Sequence, residues 1–219
     1  MILEGFPGFG LVGTIATEFL INHLDTELIG KFWFEDMPAA VAIHNGKLIP
    51  PIEVHHNKKY NLVIVHALSA PTGIEWKMSD LIMQLADELK AKEIISLEGV
   101  GGTNGKGDVY YYSTGDNKKL GEAASPIKES IVLGVTGALL LKEKNIPVSA
   151  FFVETQSKLP DSKAAAKIIE SLDNYLGLEV DPKPLLKTAK EFEEKLKGIL
   201  EQSKKFKTER EQKTQNYFG

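Results

Sequence analysis

Asn-Leu-Val-Ile-Val-His-Ala, residues 61–67, is an almost continuous apolar run and decides the fold class. Such a run is typical of a strand that is covered on both faces in a parallel sheet. Residues 93–97 and 148–154 have the same character, and residues 75–92 between the first two runs have the apolar spacing of a helix. Buried strands that alternate with helices predict an α/β fold, a three-layer α/β/α sandwich with a mostly parallel central sheet.

Further helices and strands are predicted on both sides of the central run. Before the central run it predicts a helix at residues 11–23 and strands at residues 2–4, 28–34, 40–43 and 52–56. Asn45-Gly46 is a hairpin signal and adds an antiparallel portion to the sheet. After the central run, helices are predicted at residues 137–144 and at residues 161–176, with Asp161 as the cap of the second.

The C-terminal part of the sequence differs from the rest. Residues 177–184 contain glycine, aspartate and two prolines, which break the pattern, and residues 185–205 form one amphipathic helix rich in lysine and glutamate. We therefore divide the chain into an α/β core at residues 1–182 and a C-terminal helical extension at residues 183–219 that ends in a flexible tail.

Composition excludes several classes of function. The net charge is −4 and Arg210 is the only arginine, which disfavours the phosphate and base contacts of a nucleic-acid-binding protein. The absence of cysteine removes disulfides, thiolate metal sites and cysteine nucleophiles. No apolar run reaches membrane-spanning length and the first residues do not resemble a signal peptide, so we expect a cytoplasmic protein without a membrane partner.

A glycine-rich segment follows the first predicted strand and gives the strongest enzyme signal. Gly8, Gly10 and Gly13 have the spacing of a dinucleotide-binding turn, and Glu35 and Asp36 lie at a suitable distance for a ribose contact. The alternative is that tight packing between strand and helix requires glycine. Pro7 favours packing because it removes a backbone donor from the turn. We predict no cofactor and keep nucleotide binding by this segment as the alternative.

The remaining polar residues do not form a recognisable catalytic or metal pattern. Glu53 and His55 share one face of a predicted strand, but His56 points to the other face and no third ligand follows at a known spacing. No serine elbow is present, and no pair of carboxylates is placed across a cleft by the sequence alone. We expect neither a metal site nor an enzyme.

The last residues of the sequence are the candidate binding element. A polar, highly charged stretch at residues 204–216 is followed by Tyr217-Phe218-Gly219. Two adjacent aromatic residues have no core to enter at a frayed terminus, but aromatic anchors with a carboxylate suit a pocket on another protein. The alternative is a disordered end of accidental composition.

Several segments together resemble one known family. Glu4-Gly5-Phe6-Pro7-Gly8-Phe9-Gly10-Leu11-Val12-Gly13 is similar to the N-terminal signature of the PAC2 family, the proteasome assembly chaperones and their archaeal homologues. The resemblance continues at residues 38–46, 97–99, 131–140, 154–155 and 160–165 and covers most of residues 2–190. It implies a three-layer α/β/α core, homo-oligomers and an ATP-independent chaperone role instead of catalysis.

The resemblance also implies a partner for the tail. Archaeal relatives of this kind use a C-terminal motif of a hydrophobic residue, a tyrosine and any residue, which enters pockets between α-subunits of the 20S proteasome. On this chain Tyr217 would take the hydrophobic position, Phe218 the tyrosine position and Gly219 the terminal one. Phe218 lacks the hydroxyl group of tyrosine. Either the affinity of the tail for the pocket falls, or the tail binds in a shifted register in which Tyr217 occupies the tyrosine position. A nucleotide-binding enzyme and an oligomeric scaffold with a disordered tail remain as alternatives.

Overall fold

The structure is a computed structural model that describes residues 1–34, 41–44, 47–69, 73–101, 107–142, 146–155 and 159–187, together with residues 194 and 198. The strands in these ranges are β1 (Ile2–Gly5), β2 (Thr26–Phe32), β3 (Ala42–His44), β4 (Lys47–Ile49), β5 (Ile52–Asn57), β6 (Leu62–Ala67), β7 (Ile94–Gly101), β8 (Val109–Ser113), β9 (Ser125–Pro126) and β10 (Val148–Thr155). The helices are α1 (Val12–His23), α2 (Glu75–Glu88), α3 (Leu120–Ala123), α4 (Gly134–Leu140) and α5 (Ser162–Leu176).

Eight strands form one sheet in the order β2-β5-β6-β1-β7-β10-β8-β9. The four central strands, β6, β1, β7 and β10, are parallel to one another. Antiparallel strands flank this centre on both sides. On one side β5 pairs antiparallel with β6 and with β2, and on the other side β8 pairs antiparallel with β10. The predicted α/β fold with a largely parallel sheet is thus confirmed for the centre, and the sheet as a whole is mixed.

The central apolar run is buried on both faces, as the sequence predicts. Leu62 and Ile64 belong to an apolar cluster that includes residues of α1 and α5, while Val63, Val65 and Ala67 belong to a second cluster that includes residues of α2 and α4. The two clusters lie on opposite sides of the sheet because side chains alternate along a strand. Helices on both faces confirm the three-layer arrangement.

The order of the parallel strands creates a switch point. Along the chain they follow as β1, β6, β7 and β10, but in the sheet β6 and β7 flank β1 on opposite sides. The helix α1, which follows β1, packs on one face, and α2, which joins β6 to β7, packs on the other face. In open α/β sheets, ligands bind at the carboxyl ends of the strands at such a point, here between β1 and β7.

Three local predictions can be compared directly with the structure. Asp161 caps α5 as predicted, since its side chain accepts a hydrogen bond of 2.9 Å from the amide of Ala164. The strand predicted at residues 40–43 corresponds to β3, which pairs with β4 in a separate two-stranded sheet, so the prediction that this hairpin adds an antiparallel portion to the main sheet is wrong. The strand predicted at residues 52–56 is β5, and it supplies antiparallel pairing in the main sheet with β2 and β6. The helix predicted at residues 137–144 instead begins at Gly134, whose φ of 73° favours glycine, and ends at Leu140.

The C-terminal extension is described only at its beginning. Residues 183–187 are helical, and Leu185 is buried in the cluster on the α1 and α5 face. Most of the predicted helix at residues 185–205 and the whole tail lie outside the described residues, so the boundary after residue 182 stays a prediction. None of the helices in the described ranges has the length and apolar composition needed to cross a bilayer.

Candidate functional site

The glycine-rich turn, residues 5–13, leads from β1 into α1 and packs closely on neighbouring strands. A Cβ atom at Gly13 would lie 2.5 Å from the carbonyl oxygen of Leu97, and one at Gly10 would lie 2.9 Å from Cγ2 of Thr155. Gly10 also has a φ of 62°, in the left-handed region that side chains disfavour. Contact with β7 and β10 therefore requires glycine at these positions.

Gly8 faces an acidic side chain. A Cβ atom at this position would lie 1.8 Å from Oε1 of Glu98, so the carboxyl group fills the space beside the turn. A phosphate group placed there would meet a carboxyl group in place of free backbone amides, and Val12 at the start of α1 is fully buried. This geometry favours packing over nucleotide binding for Gly8, Gly10 and Gly13. Glu35 and Asp36, the other residues of that alternative, lie outside the described residues.

Four side chains form what we call the carboxyl cluster: Glu4 of β1, Ser96 and Glu98 of β7, and Thr136 of α4. Glu4 pairs with Ser96 across the two parallel strands, and Glu98 lies two residues further along β7. Residues two apart on a strand share one face of the sheet, which here is the face covered by α4. The cluster thus lies at the switch point between β1 and β7.

Hydroxyl groups connect the two carboxyl groups. The Thr136 hydroxyl oxygen lies 3.3 Å from Oε1 of Glu4 and 3.3 Å from Oε2 of Glu98. The Ser96 hydroxyl group hydrogen-bonds to the same Oε1 of Glu4 and lies 2.9 Å from the Thr136 hydroxyl oxygen. Glu4 has no exposed surface, and its Oε2 atom has no hydrogen-bond partner among the described residues.

Burial changes the acidity of both groups. Desolvation raises the pKa of Glu4 well above its usual value, and the neighbouring Glu98 carboxyl group adds to the increase. Desolvation also raises the pKa of Glu98 to about 8, although hydrogen bonds from Thr136 and from the amides of Gly99 and Phe9 oppose the increase. These shifts favour the protonated form of both carboxyl groups at neutral pH.

No sequence pattern identified this cluster. Glu4 ends the short strand predicted at residues 2–4 and Glu98 directly follows the buried strand predicted at residues 93–97, and a charged residue beside such apolar runs was an available signal. The sequence does not show that Glu4 and Glu98 are close in space, because β1 and β7 are separated by most of the first half of the chain. A single sequence does not state which two strands become neighbours.

Thr17, His66 and Glu18 form a second group of polar side chains, on the face of the sheet covered by α1. His66 lies 2.8 Å from the Thr17 hydroxyl group through Nδ1 and 3.2 Å from Oε2 of Glu18 through Nε2, an order that resembles a nucleophile, a base and an acid. Thr17 is fully buried and its hydroxyl group donates to the carbonyl oxygen of Gly13, so it offers no nucleophile to a substrate. This arrangement ties α1 to β6.

Glu53 and His55 do lie on one face, as predicted, with Oε2 of the glutamate 3.0 Å from Nε2 of the histidine. In the part of the chain that the structure describes, no three histidine or acidic side chains are grouped to hold a metal ion. The predicted partner-binding residues, Tyr217, Phe218 and Gly219, lie outside the described residues.

Comparison with known proteins identifies the family. The sequence profile of the PAC2 family matches residues 2–200. The chain belongs to the PAC2 family. The family resemblance is thereby confirmed, and the matched range contains the glycine-rich turn and all four residues of the carboxyl cluster.

Solved structures and curated relatives agree with this membership. The PAC2 chain is similar to Pyrococcus furiosus PbaA, an archaeal homolog of proteasome-assembly chaperone, with a TM-score of 0.84 and 30% identity over 94% of each chain. It shares its fold with Pyrococcus furiosus PbaB, an archaeal proteasome activator, at a TM-score of 0.72 and 22% identity over 90% of this chain and 92% of that chain. An uncharacterized protein of Methanocaldococcus jannaschii is 26% identical over 92% of this chain and 86% of its own length.

Proposed function

We propose that this protein is an ATP-independent, homo-oligomeric chaperone or activator of the proteasome, which binds the α-ring of the 20S particle through Tyr217-Phe218-Gly219 and assists assembly or gate opening. The similarity to PbaA carries the proposal, because it extends over 94% of both chains at 30% identity. The role of that protein, an archaeal homolog of proteasome-assembly chaperone, is the part that we transfer to this chain.

The site at the switch point supports a binding role over catalysis. In nucleotide-binding sheets this crevice receives the phosphate groups. Here the glycine-rich turn is packed against Leu97 and Thr155, and the Glu98 carboxyl group fills the space beside Gly8. A protein whose crevice is filled by its own residues has to contact partners through another surface, and the aromatic tail is our candidate.

Several tails are needed for useful affinity. A short peptide with two aromatic anchors binds weakly, but linked copies convert later contacts into intramolecular ones and raise the overall affinity by about 10²–10⁴-fold. A homo-oligomer supplies those copies. The polar segment at residues 202–216 would act as the tether between each folded core and its pocket on the ring.

The test is association with purified archaeal 20S core particles. The full chain is compared with a variant that lacks Tyr217-Phe218-Gly219, by co-sedimentation and by the rate of cleavage of a fluorogenic peptide. We expect the deletion to abolish association and any stimulation of cleavage, with unchanged circular dichroism and oligomer size. A matched control replaces Thr214, Gln215 and Asn216 with alanine, which keeps the aromatic anchors, and should bind as the full chain does.

Equal binding by the full chain and the deletion variant would contradict the proposed role of the tail. The nucleotide-binding alternative makes a separate prediction, because a ligand that binds only the folded state raises the melting temperature. We expect no shift with a panel of nucleotides and dinucleotides at millimolar concentration. A shift that Glu98→Gln abolishes or alters would support the alternative instead.

A further inference from the structure

The carboxyl cluster contains more oxygen–oxygen contacts of hydrogen-bond length than it has hydroxyl protons to donate. Four contacts of hydrogen-bond length connect Ser96 and Thr136 with each other and with Glu4 and Glu98. Each hydroxyl group carries one proton, and an ionised carboxylate carries none. Two contacts therefore lack a proton unless a carboxyl group supplies it. One Thr136 proton in particular cannot serve both glutamates at once.

The two carboxyl groups are also close together. Since Oε1 of Glu4 and Oε2 of Glu98 lie at the same 3.3 Å distance from one hydroxyl oxygen, they are separated by no more than twice that distance. Two negative charges at such a separation in a buried site repel each other strongly. Glu4 is fully buried and its Oε2 atom lacks a partner among the described residues, so nothing described there compensates a charge on this side chain.

Among the described residues, no cationic side chain contacts the carboxyl cluster. The glycine-rich turn has no titratable side chain, α4 contributes the Thr136 hydroxyl group, and α2 turns Met78, Ile82 and Met83 towards the sheet. From β10, Glu154 lies on the same face as Glu98, and it is paired with Tyr110 of β8, which also lies near Asp108. These groups are acidic or neutral.

The imidazole of His66 on β6 belongs to the opposite face. It contacts Thr17 and Glu18 of α1, so the sheet lies between this ring and the carboxyl cluster. Among the described residues, the elements packed around the cluster thus offer hydroxyl groups and backbone amides but no cation. A proton is the remaining means of neutralising the pair.

We propose that Glu4 and Glu98 are both held protonated at neutral pH, that the protonated pair fastens the glycine-rich turn and α4 to the ends of β1 and β7, and that alkaline solution releases this fastening. Glu98 is the group that connects the parts: it fills the space beside Gly8, accepts hydrogen bonds from the amides of Phe9 and Gly99, and contacts Thr136. Loss of its proton leaves a buried charge between the glycine-rich turn and α4 and turns the Thr136 hydroxyl group away from Glu4.

The sign of the effect follows from linkage. The pKa of Glu98 is about 8 in the folded protein and close to 4.5 in the unfolded chain, so the folded state binds more protons between these values. The contribution to stability is fully present below pH 4.5 and is lost as the pH rises through 8. Each pH unit in that window raises the unfolding equilibrium constant by up to about tenfold.

Urea unfolding of the full-length protein between pH 5 and pH 9 tests the proposal. We expect Glu98→Gln, which keeps the shape and cannot ionise, to reduce the loss of stability that the wild type shows towards pH 8, so that the two curves diverge with pH; the remaining loss comes from Glu4. Glu129→Gln is the matched control, since Glu129 is exposed, and should keep the pH dependence of the wild type. Identical pH dependence for the wild type and Glu98→Gln would overturn the proposal.

A second measurement keeps the test decisive if Glu98→Gln does not fold. Carbon-13 spectra of the glutamate carboxyl groups in the wild type should contain one resonance that titrates with a midpoint near pH 8, from Glu98, and a second whose midpoint lies well above the usual range of glutamate, from Glu4. Protection of the Phe9 and Gly99 amides against hydrogen exchange, corrected for intrinsic rates, should fall across the same midpoint. If every glutamate finishes its titration below pH 6, neither carboxyl group of the cluster is protonated at neutral pH and the proposal fails.

Discussion

Replacing Gly13 with alanine tests whether the glycine-rich turn is there for packing. Gly13 lies in the first turn of α1, and a Cβ atom there would lie 2.5 Å from the Leu97 carbonyl oxygen and 3.0 Å from both the Gly5 Cα atom and the Phe6 carbonyl oxygen. All three neighbours are backbone atoms of β1, of the turn after it or of β7. None of them can move by a side-chain rotation.

The magnitude follows from two opposing effects. Ordinary contacts of a carbon atom begin at about 3.5 Å, so α1 and β7 would have to separate by about 1 Å. Overpacking of this kind costs about 1–3 kcal/mol. Alanine regains about 0.5–1 kcal/mol through its higher helix propensity. Because the clash is with backbone atoms, we expect the overpacking to prevail, with a net loss of about 1–2 kcal/mol.

Differential scanning calorimetry measures this loss against a matched helical glycine. A loss of that size lowers the melting temperature by about 2–8 °C in a protein of this length. Gly121 lies in α3, and its Cβ atom would meet only the Tyr111 hydroxyl oxygen, at 3.8 Å. Gly121→Ala should therefore leave the melting temperature unchanged or raise it. Equal melting temperatures for Gly13→Ala and Gly121→Ala would refute the packing argument.

Two further predictions concern α5 and the tail. Asp161→Ala removes the side chain that accepts the Ala164 amide, and we expect it to lower the free energy of unfolding by about 0.5–2 kcal/mol in urea titrations, whereas Asp161→Asn should retain most of the stability. Phe218→Tyr supplies the hydroxyl group of the tyrosine position, and we expect it to tighten association with 20S particles in co-sedimentation; weaker or unchanged association would favour the shifted register, in which Tyr217 takes that position.

Much of the architecture follows from local patterns in the sequence. The run at residues 61–67 alternates between two apolar clusters, so its continuous hydrophobicity is explained by two covered faces. Asp161 and Gly177 mark the start and end of α5 through a side-chain cap and a left-handed residue. These signals act within a few residues, and a single sequence contains them in full.

The features that sequence patterns missed depend on distant partners. The antiparallel position of β5 between β2 and β6 is set by strand pairing that no local pattern states. The carboxyl cluster joins Glu4 with Glu98 and Thr136, which come from widely separated parts of the chain. The glycine spacing after β1 was ambiguous for the same reason, because only the position of Leu97, Glu98 and Thr155 distinguishes packing from a phosphate cradle.

Packing and acidity at the switch point have one common cause. The glycine-rich turn approaches the ends of β7 and β10 closely at Gly8, Gly10 and Gly13, and this close approach removes water from Glu98 and raises the pKa of its carboxyl group to about 8. A neutral carboxyl group then fits between the turn and α4, whereas an ionised one would attract water into the same space. A larger residue at Gly8 would displace the carboxyl group towards solvent. Gly8→Ala should therefore lower the pKa of Glu98 towards 4.5. A carbon-13 titration of this variant whose midpoint stayed near pH 8 would show that the close packing of the turn does not cause the raised pKa.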